Sequence, residues 1–448
     1  MKNFVIIQLW ILIASFLLFF DMLYNNQSSQ VKLISFFPLL YSLNIAYIVK
    51  KLKIDSSKAL FWLTVSFILY HVLPHFIYYA FDVINYMDSE KKGILIQTLK
   101  SNTLTKAFLV SIVGFQSTIL AYCFTKNKIE FDNQKSNYNL DIVYLSLGFF
   151  LIAVILRRFT PSVFLSSFET VNFLILSIYI FSNSKLSMLT KKRLAILTFF
   201  LSLIFFTTFT TGRRDLIKLI ILFSVIWSLY VKPFRIISII AGGFLSICIM
   251  FALVLYRTEF SINHVLERML LILDQSDYLF LMLSSTLDFM PGHNNYEYII
   301  ANIPERSPYL FGASLFKIFF AFIPRQIWAD KPSGVQELIV EEHRNIFVGG
   351  TSQTTTMIGE FYWNFGIIGV AIAMAVIGYI CNKIDFNNLN KTKGSFQFML
   401  RVILISWIIE FFRGGISTVF IVNSLQIIIP LVLLIFSYRF INDAIKIE

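Results

Sequence analysis

Apolar runs of about 17–25 residues recur along this chain, each closed by a short polar or basic stretch, which is the spacing of bilayer-crossing helices. Hydropathy predicts helices over residues 4–24, 33–49, 59–81, 106–124, 140–156, 164–182, 194–211, 216–231, 236–256, 356–380, 396–412 and 416–437. The first run, Phe4 to Tyr24, is preceded only by Lys2 and lacks a small-residue cleavage site near its end. It is expected to be retained as a first helix, not removed as a signal peptide.

Composition agrees with this pattern. Of 448 residues, 57% are hydrophobic, 17% aromatic and only 14% charged. Soluble domains hold roughly 45–50% apolar residues, and a soluble chain with so few charges could not cover its surface. About twelve spans of about 20 residues occupy a little over half the chain, which fits one polytopic all-α bundle. No internal repeat or low-complexity tract is visible, whereas transporters built on inverted repeats often show a paired pattern.

The excess of 38 Lys+Arg over 26 Asp+Glu falls in short runs between apolar segments. Its expected role is topological, and no nucleic-acid partner is expected. Runs such as Lys50, Lys51, Lys53 and Lys58, or Lys185, Lys191, Lys192 and Arg193, fall on one side of the predicted bundle. Short segments of that side hold about twice as many cations as those of the other, which places both termini inside. Residues 257–355, roughly 100 positions, are too long for a connector and lie on the outer side. The chain therefore divides into nine helices over 1–256, a long external loop over 257–355, and three helices over 356–448. Within the loop, Val265 to Phe289 is apolar but interrupted by Glu267, Arg268, Asp274, Asp277 and Asp288, as interfacial helices are. Leu315 to Ile323 holds Lys317 and stops at Pro324, too short to span but suited to a re-entrant element.

Ionisable residues inside spans are costly and mark either function or interhelical pairing. Asp21, His71, His75, Glu169, Lys218, Glu360 and Glu410 map to the outer halves of their helices, with only Asp141 and Arg401 toward the inner ends. Thr210-Thr211-Gly212-Arg213-Arg214-Asp215 lies at an outer turn. Guanidinium forks there match phosphate oxygens, while pairing with Asp215 or a lipid phosphate has equal weight. In the loop, Ile323-Pro324-Arg325-Gln326-Ile327-Trp328-Ala329-Asp330-Lys331-Pro332 brackets two cations between prolines, which stiffen the backbone. Such cations suit a pyrophosphate, and a Trp and Lys interface anchor has the same appearance. Gly349-Gly350-Thr351-Ser352-Gln353-Thr354-Thr355-Thr356 is flexible and rich in hydroxyls, as a sugar site or a plain loop would be.

Absences narrow the field. There is no GxxxxGK[ST] loop and no GxGxxG after a strand, so no nucleotide fold is visible. Cys123, Cys248 and Cys381 form no spaced cluster, and the Asp274-x-x-Asp277 pair is a weak metal signal. No metal and no cofactor are expected.

Three segments, in order, resemble the oligosaccharide repeat unit polymerase family, the Wzy-type O-antigen polymerases. They are Gly212-Arg213-Arg214, then Ile323-Pro324-Arg325 through Trp328 to Lys331-Pro332. The third is Gly349-Gly350 followed by Ile358-Gly359-Glu360-Phe361-Tyr362-Trp363-Asn364-Phe365-Gly366 and Gly369. The resemblance covers about residues 210–216 and 323–370. It implies a GT-C-like membrane glycosyltransferase of about twelve transmembrane helices in the bacterial inner membrane. Such an enzyme moves a growing glycan from its undecaprenyl pyrophosphate carrier onto the next lipid-linked repeat unit at the periplasmic face.

In that scheme Arg325, with Arg213 or Arg214, stabilises the pyrophosphate leaving group, an electrostatic role shared by Lys331 and Arg413. His343 and Glu360 are the candidate general bases, and Trp328, Tyr362 and Asn364 are candidate substrate contacts. The implied partners are the lipid-linked donor and acceptor oligosaccharides and the bilayer, with a chain-length regulator as a further candidate. An O-antigen ligase shares the chemistry but uses another acceptor. A lipid-linked oligosaccharide flippase has a similar number of spans but needs neither the long loop nor a one-sided polar centre.

Overall fold

The computed structural model describes residues 2–25, 37–75, 101–125, 162–183, 185–209, 213–234, 289–320, 331–342, 355–386 and 396–417. It also describes scattered positions between 143 and 151, 323 and 330, and 419 and 436. Regular structure among these residues is helical, without strands. The first elements are α1 (Lys2–Asn25), α2 (Phe37–Leu52), α3 (Ala59–Phe67), which runs on through a π-helical turn (Ile68–Val72), and α4 (Ser101–Phe124). Next come α5 (Ser162–Ser182), α6 (Met188–Phe209) and α7 (Arg213–Tyr230). Residues 257–355 contribute α8 (Phe289–Asn302), α9 (Ala313–Phe320) and α10 (Val335–Glu342). The chain closes with α11 (Met357–Phe386) and α12 (Phe396–Gly414).

Hydroxyl residues do not interrupt these helices because they bond back into them. Thr64, Ser66, Ser111 and Ser117 each donate to the carbonyl four residues earlier, so a polar atom in an apolar helix needs no solvent. Three stretches are long and apolar enough to cross a membrane: Asn3–Met22, Thr103–Phe124 and Met357–Phe386. On α1, Trp10 and Leu17 point outward, an apolar surface suited to lipid.

The core is built on α4, which lies between α1 and α11. Ala107, Val110, Val113, Phe115 and Ile119 of α4 are all fully buried. Against it, α11 comes close enough that Gly378 leaves no room for a side chain: an added Cβ would fall 2.2 Å from the Thr118 carbonyl oxygen. The Thr118 hydroxyl reciprocates by reaching the Met374 carbonyl at 3.0 Å. Small residues at a crossing let two backbones exchange such contacts where lipid supplies no hydrophobic drive. Around this pair, α12 packs on α3 and α7, while α5, α6 and α7 pack on one another.

Several ionisable residues of the apolar segments meet partners across helices. Lys218 of α7 and Glu410 of α12 lie 3.7 Å apart, and Ser202 of α6 donates to Glu169 of α5. These are separate interhelical pairs. The predicted helices at 140–156, 236–256 and 416–437 fall largely outside the described residues, as does the Val265 to Phe289 stretch.

Two features depart from the hydropathy reading. One is α8, which carries Pro291, Gly292, Asn294 and Asn295 near its start and so shows no apolar period; proline is tolerated in a helix's first turn, where its missing N–H is no loss. The other is α11, which matches the predicted helix over 356–380 in place but is kinked at Gly366 (φ 65°, ψ −164°), a break that hydropathy does not show.

The α4–α11 crossing sets the first prediction. Gly378→Ala should lower the thermal midpoint of the purified protein in detergent, with an overpacking cost of about 1–3 kcal/mol. Gly148→Ala, where no described residue lies within 4 Å of the added carbon, is the control and should behave as wild type. Equal midpoints for all three proteins would refute the close crossing.

Candidate functional site

At Gly366 the backbone leaves the helical region, and the carbonyls just before it lose their partners four residues on. The segment after α8 supplies replacements: Leu310 N–H donates to the Trp363 carbonyl and Phe311 N–H to that of Asn364, both at 3.0 Å. Only a residue without a side chain fits here, since φ is positive and an added Cβ would meet the Tyr309 hydroxyl at 3.1 Å. Asn364 fixes the junction. Its Oδ1 accepts from Gly312 N–H at 2.9 Å, and its Nδ2 donates to Ser314 Oγ and to the Glu360 carbonyl, both at 2.8 Å.

One turn earlier, the buried Glu360 carboxylate collects four donors. They are Ser314 Oγ at 3.3 Å, Ile416 N–H at 2.5 Å, Ser417 N–H at 3.2 Å and the Ser417 hydroxyl. The chain ends α12 at Gly414 and turns helical again at Ile416, so Glu360 answers the exposed N–H groups of a new helix start. From α10, Gln336 Nε2 donates to the Gly414 carbonyl. The start of α9, α10, the first piece of α11 and the end of α12 therefore meet at one polar junction.

The candidate residues distribute as follows. Glu360 and Asn364 belong to this junction, both buried and both engaged in protein hydrogen bonds. Tyr362 is buried on the same turns, and Arg413 is buried on the last turn of α12. Lys331 is nearly buried and donates from Nζ to the Ile323 carbonyl at 2.9 Å, closing the proline-bounded stretch into a turn. Trp328 is part-exposed, its ring 5.2 Å from that of Phe320. Arg213 and Arg214 begin α7. Arg325 and His343 lie outside the described residues.

A second polar cluster was only half read in the sequence, where His71 and His75 stood out as ionisable residues of an apolar helix and His293 and Glu297 did not. On α3 and its π turn, His71 and His75 are four residues apart; on α8, His293 and Glu297 have the same spacing, and all four are fully buried. His293 Nε2 lies 2.7 Å from Glu297 Oε1, while His293 Nδ1 is 3.1 Å from the Tyr70 carbonyl. His75 sets Nε2 at 2.6 Å from the Leu104 carbonyl and Nδ1 at 3.0 Å from that of His71. His71 Nδ1 lies 2.8 Å from Ser111 Oγ, which is 2.9 Å from the Tyr296 hydroxyl of α8. Burial holds the His293 imidazole down near 3 and pushes the Glu297 carboxyl up to about 8. The repeated i, i+4 spacing of His and Glu was the signal that could have exposed this cluster.

No protein-family profile, curated protein or solved structure matches this chain.

The junction generates a stability prediction. Glu360→Ala orphans Ile416 N–H, Ser417 N–H and the Ser417 hydroxyl, each worth roughly 1–3 kcal/mol when buried without a partner. The variant should melt well below wild type or fail to accumulate, whereas Ser314→Ala removes a single donor and should cost far less. A wild-type melting profile for Glu360→Ala would show that the carboxylate does not hold the junction.

Proposed function

We propose that this protein is a lipid-linked oligosaccharide repeat unit polymerase of the Wzy type, a GT-C-like glycosyltransferase of about twelve spans. In this reading it sits in the bacterial inner membrane with both termini cytoplasmic. At the periplasmic face it joins undecaprenyl-pyrophosphate-linked repeat units of a surface polysaccharide.

The observation that carries the proposal is the inverted character of α9 and the turn after it. Ser314 and Lys317 of α9 are buried, while Phe316 and Phe319 are exposed, as are Phe311 and Ile327 on the flanking turns. Lys317 pairs inward with Glu337 of α10. Such a surface suits the polyprenyl chain of a carrier, or the bilayer from which it arrives. It adjoins the turn that Lys331 closes onto Ile323, and Arg325 falls within that stretch of sequence.

In the proposed reaction the hydroxyl of the acceptor's terminal sugar attacks the donor's anomeric carbon. The carbon–oxygen bond to undecaprenyl pyrophosphate breaks, and the departing oxygens gain negative charge. Arg325, helped by Arg213 or Arg214 and by Arg413, meets that charge. The base that takes the hydroxyl proton is assigned to His343, because the oxygens of Glu360 already serve four donors; Glu360 and Asn364 then position the junction.

Two measurements test this. Deleting the gene should leave surface lipid carrying a single repeat unit in place of a ladder on a gel, since flipping and ligation continue; loss of the single-unit form as well would indicate a flippase or ligase. Arg325→Lys keeps the charge but loses the two-pronged fork, and should reduce in vitro polymerisation by roughly 10²–10³ at matched expression. Near-wild-type activity of the lysine variant would remove Arg325 from the site.

A further inference from the structure

We propose that His75, His293 and Glu297 bind one divalent transition-metal ion of the zinc class, which pins α8 to α3 and α4. One ligand atom from each residue can be chosen so that all three lie within 4.8 Å of one another, and the three side chains have no solvent exposure.

The electron pairs make the case. A neutral imidazole has a single N–H, yet each of these rings faces acceptors at both nitrogens. His293 has the Tyr70 carbonyl at Nδ1 and the Glu297 carboxylate at Nε2. His75 has the carbonyls of His71 and Leu104. One nitrogen of each neutral ring therefore presents a lone pair to an oxygen. Apart from the contact with His293, neither oxygen of Glu297 receives a hydrogen bond among the described residues, although the carboxylate is fully buried. Among the described residues the cluster is rich in acceptors, and one cation would take a lone pair from each imidazole and from the carboxylate together.

The donor set also selects the cation. Two imidazoles and a carboxylate suit zinc and its neighbours, whereas magnesium and calcium take all-oxygen sites. The His293 Nδ1 contact with the Tyr70 carbonyl is the outer hydrogen bond that metal-bound imidazoles use to fix their tautomer. Bonds of about 2.0–2.2 Å to one ion require ligand atoms roughly 3.4 Å apart, so closing this set needs side-chain shifts on the order of 1 Å. His293 and Glu297 lie one turn apart on α8 and His75 meets them from a facing helix, and side chains converging from facing helices are how helical bundles build such sites.

The experiment uses the full chain purified in detergent without a metal-chelating resin. Elemental analysis should find about one zinc-class ion per chain. EDTA should lower the thermal midpoint, and Zn²⁺ but not Mg²⁺ should restore it. Co²⁺ added to the stripped protein should produce visible d–d absorption, displaced by Zn²⁺. Glu297→Gln preserves size and could donate to His293 if the cluster merely shared a proton. With a metal site it should weaken Zn²⁺ binding by more than the roughly 10–100-fold lost when an outer-shell partner is removed. A wild-type midpoint indifferent to EDTA and Zn²⁺, with no Co²⁺ absorption, would overturn the proposal. So would unchanged Co²⁺ affinity in Glu297→Gln.

Discussion

A carboxylate enclosed in an apolar helical bundle has to be met by donors or by positive charge, and three buried carboxylates organise the described part of this protein around that demand. Asp385 near the end of α11 accepts from Ala59 N–H at 2.6 Å, Leu60 N–H at 3.3 Å and Tyr122 Oη at 3.0 Å. It caps the start of α3, where the preceding residue, Lys58, provides no side-chain cap. Glu360 near the start of α11 does the same for the helical restart at Ile416. Hydrogen bonds to a charged group contribute about 1.5–3 kcal/mol each, so these two carboxylates tie distant parts of the chain together more firmly than apolar contact alone would.

Both carboxylates belong to α11, which makes that helix a strut between two polar clamps. Its crossing with α4 at Gly378 and Thr118 fixes the piece between them. The break at Gly366 separates the Glu360 end from this rigid crossing and opens carbonyls that the Leu310–Gly312 segment then fills. The segment after α8 is thereby joined to α11 through backbone hydrogen bonds and the Asn364 amide. Glu297 is the exception among the three carboxylates: among the described residues no helix start is offered to it, and the side chain it meets is an imidazole whose other nitrogen addresses a carbonyl.

How much of this could be read in the sequence follows from the range of each signal. Apolar runs marked α1, α4 and α11 well because membrane-length helices declare themselves through local composition alone. The stretch from Gly359 to Gly366 stood out as a motif, and the structure gives it a physical basis: Gly366 permits the break, Asn364 staples it, and Glu360 caps the neighbouring helix. Which of these roles belonged to which residue depended on partners some 50 positions away, Gly312, Ser314 and Ser417, and no local pattern encodes those. His71 and His75 stood out in the sequence, but their partners His293 and Glu297 were hidden for the same reason. His75 and His293 are ordinary members of unrelated segments until α8 folds onto α3, and the start of α8 lacks the apolar period by which helices are recognised.

The same bookkeeping of charge narrows where an external anion can be met. Lys317 is turned inward onto Glu337, and Lys331 spends a donor on the Ile323 carbonyl, so two cations that looked available along the chain already hold the turn together. A lysine used in this way shapes the loop but contributes less to a ligand. The other cation of the Ile323–Pro332 stretch, Arg325, lies outside the described residues, and the proposal assigns it to the phosphate because a guanidinium offers five N–H donors in a fork that matches phosphate oxygens. An anionic headgroup attached to a long apolar tail needs such a cation beside an apolar surface, and the outward phenylalanines of α9 provide the surface. The proposed function thus rests on a division of labour between lysines that build the turn and an arginine that can face the substrate.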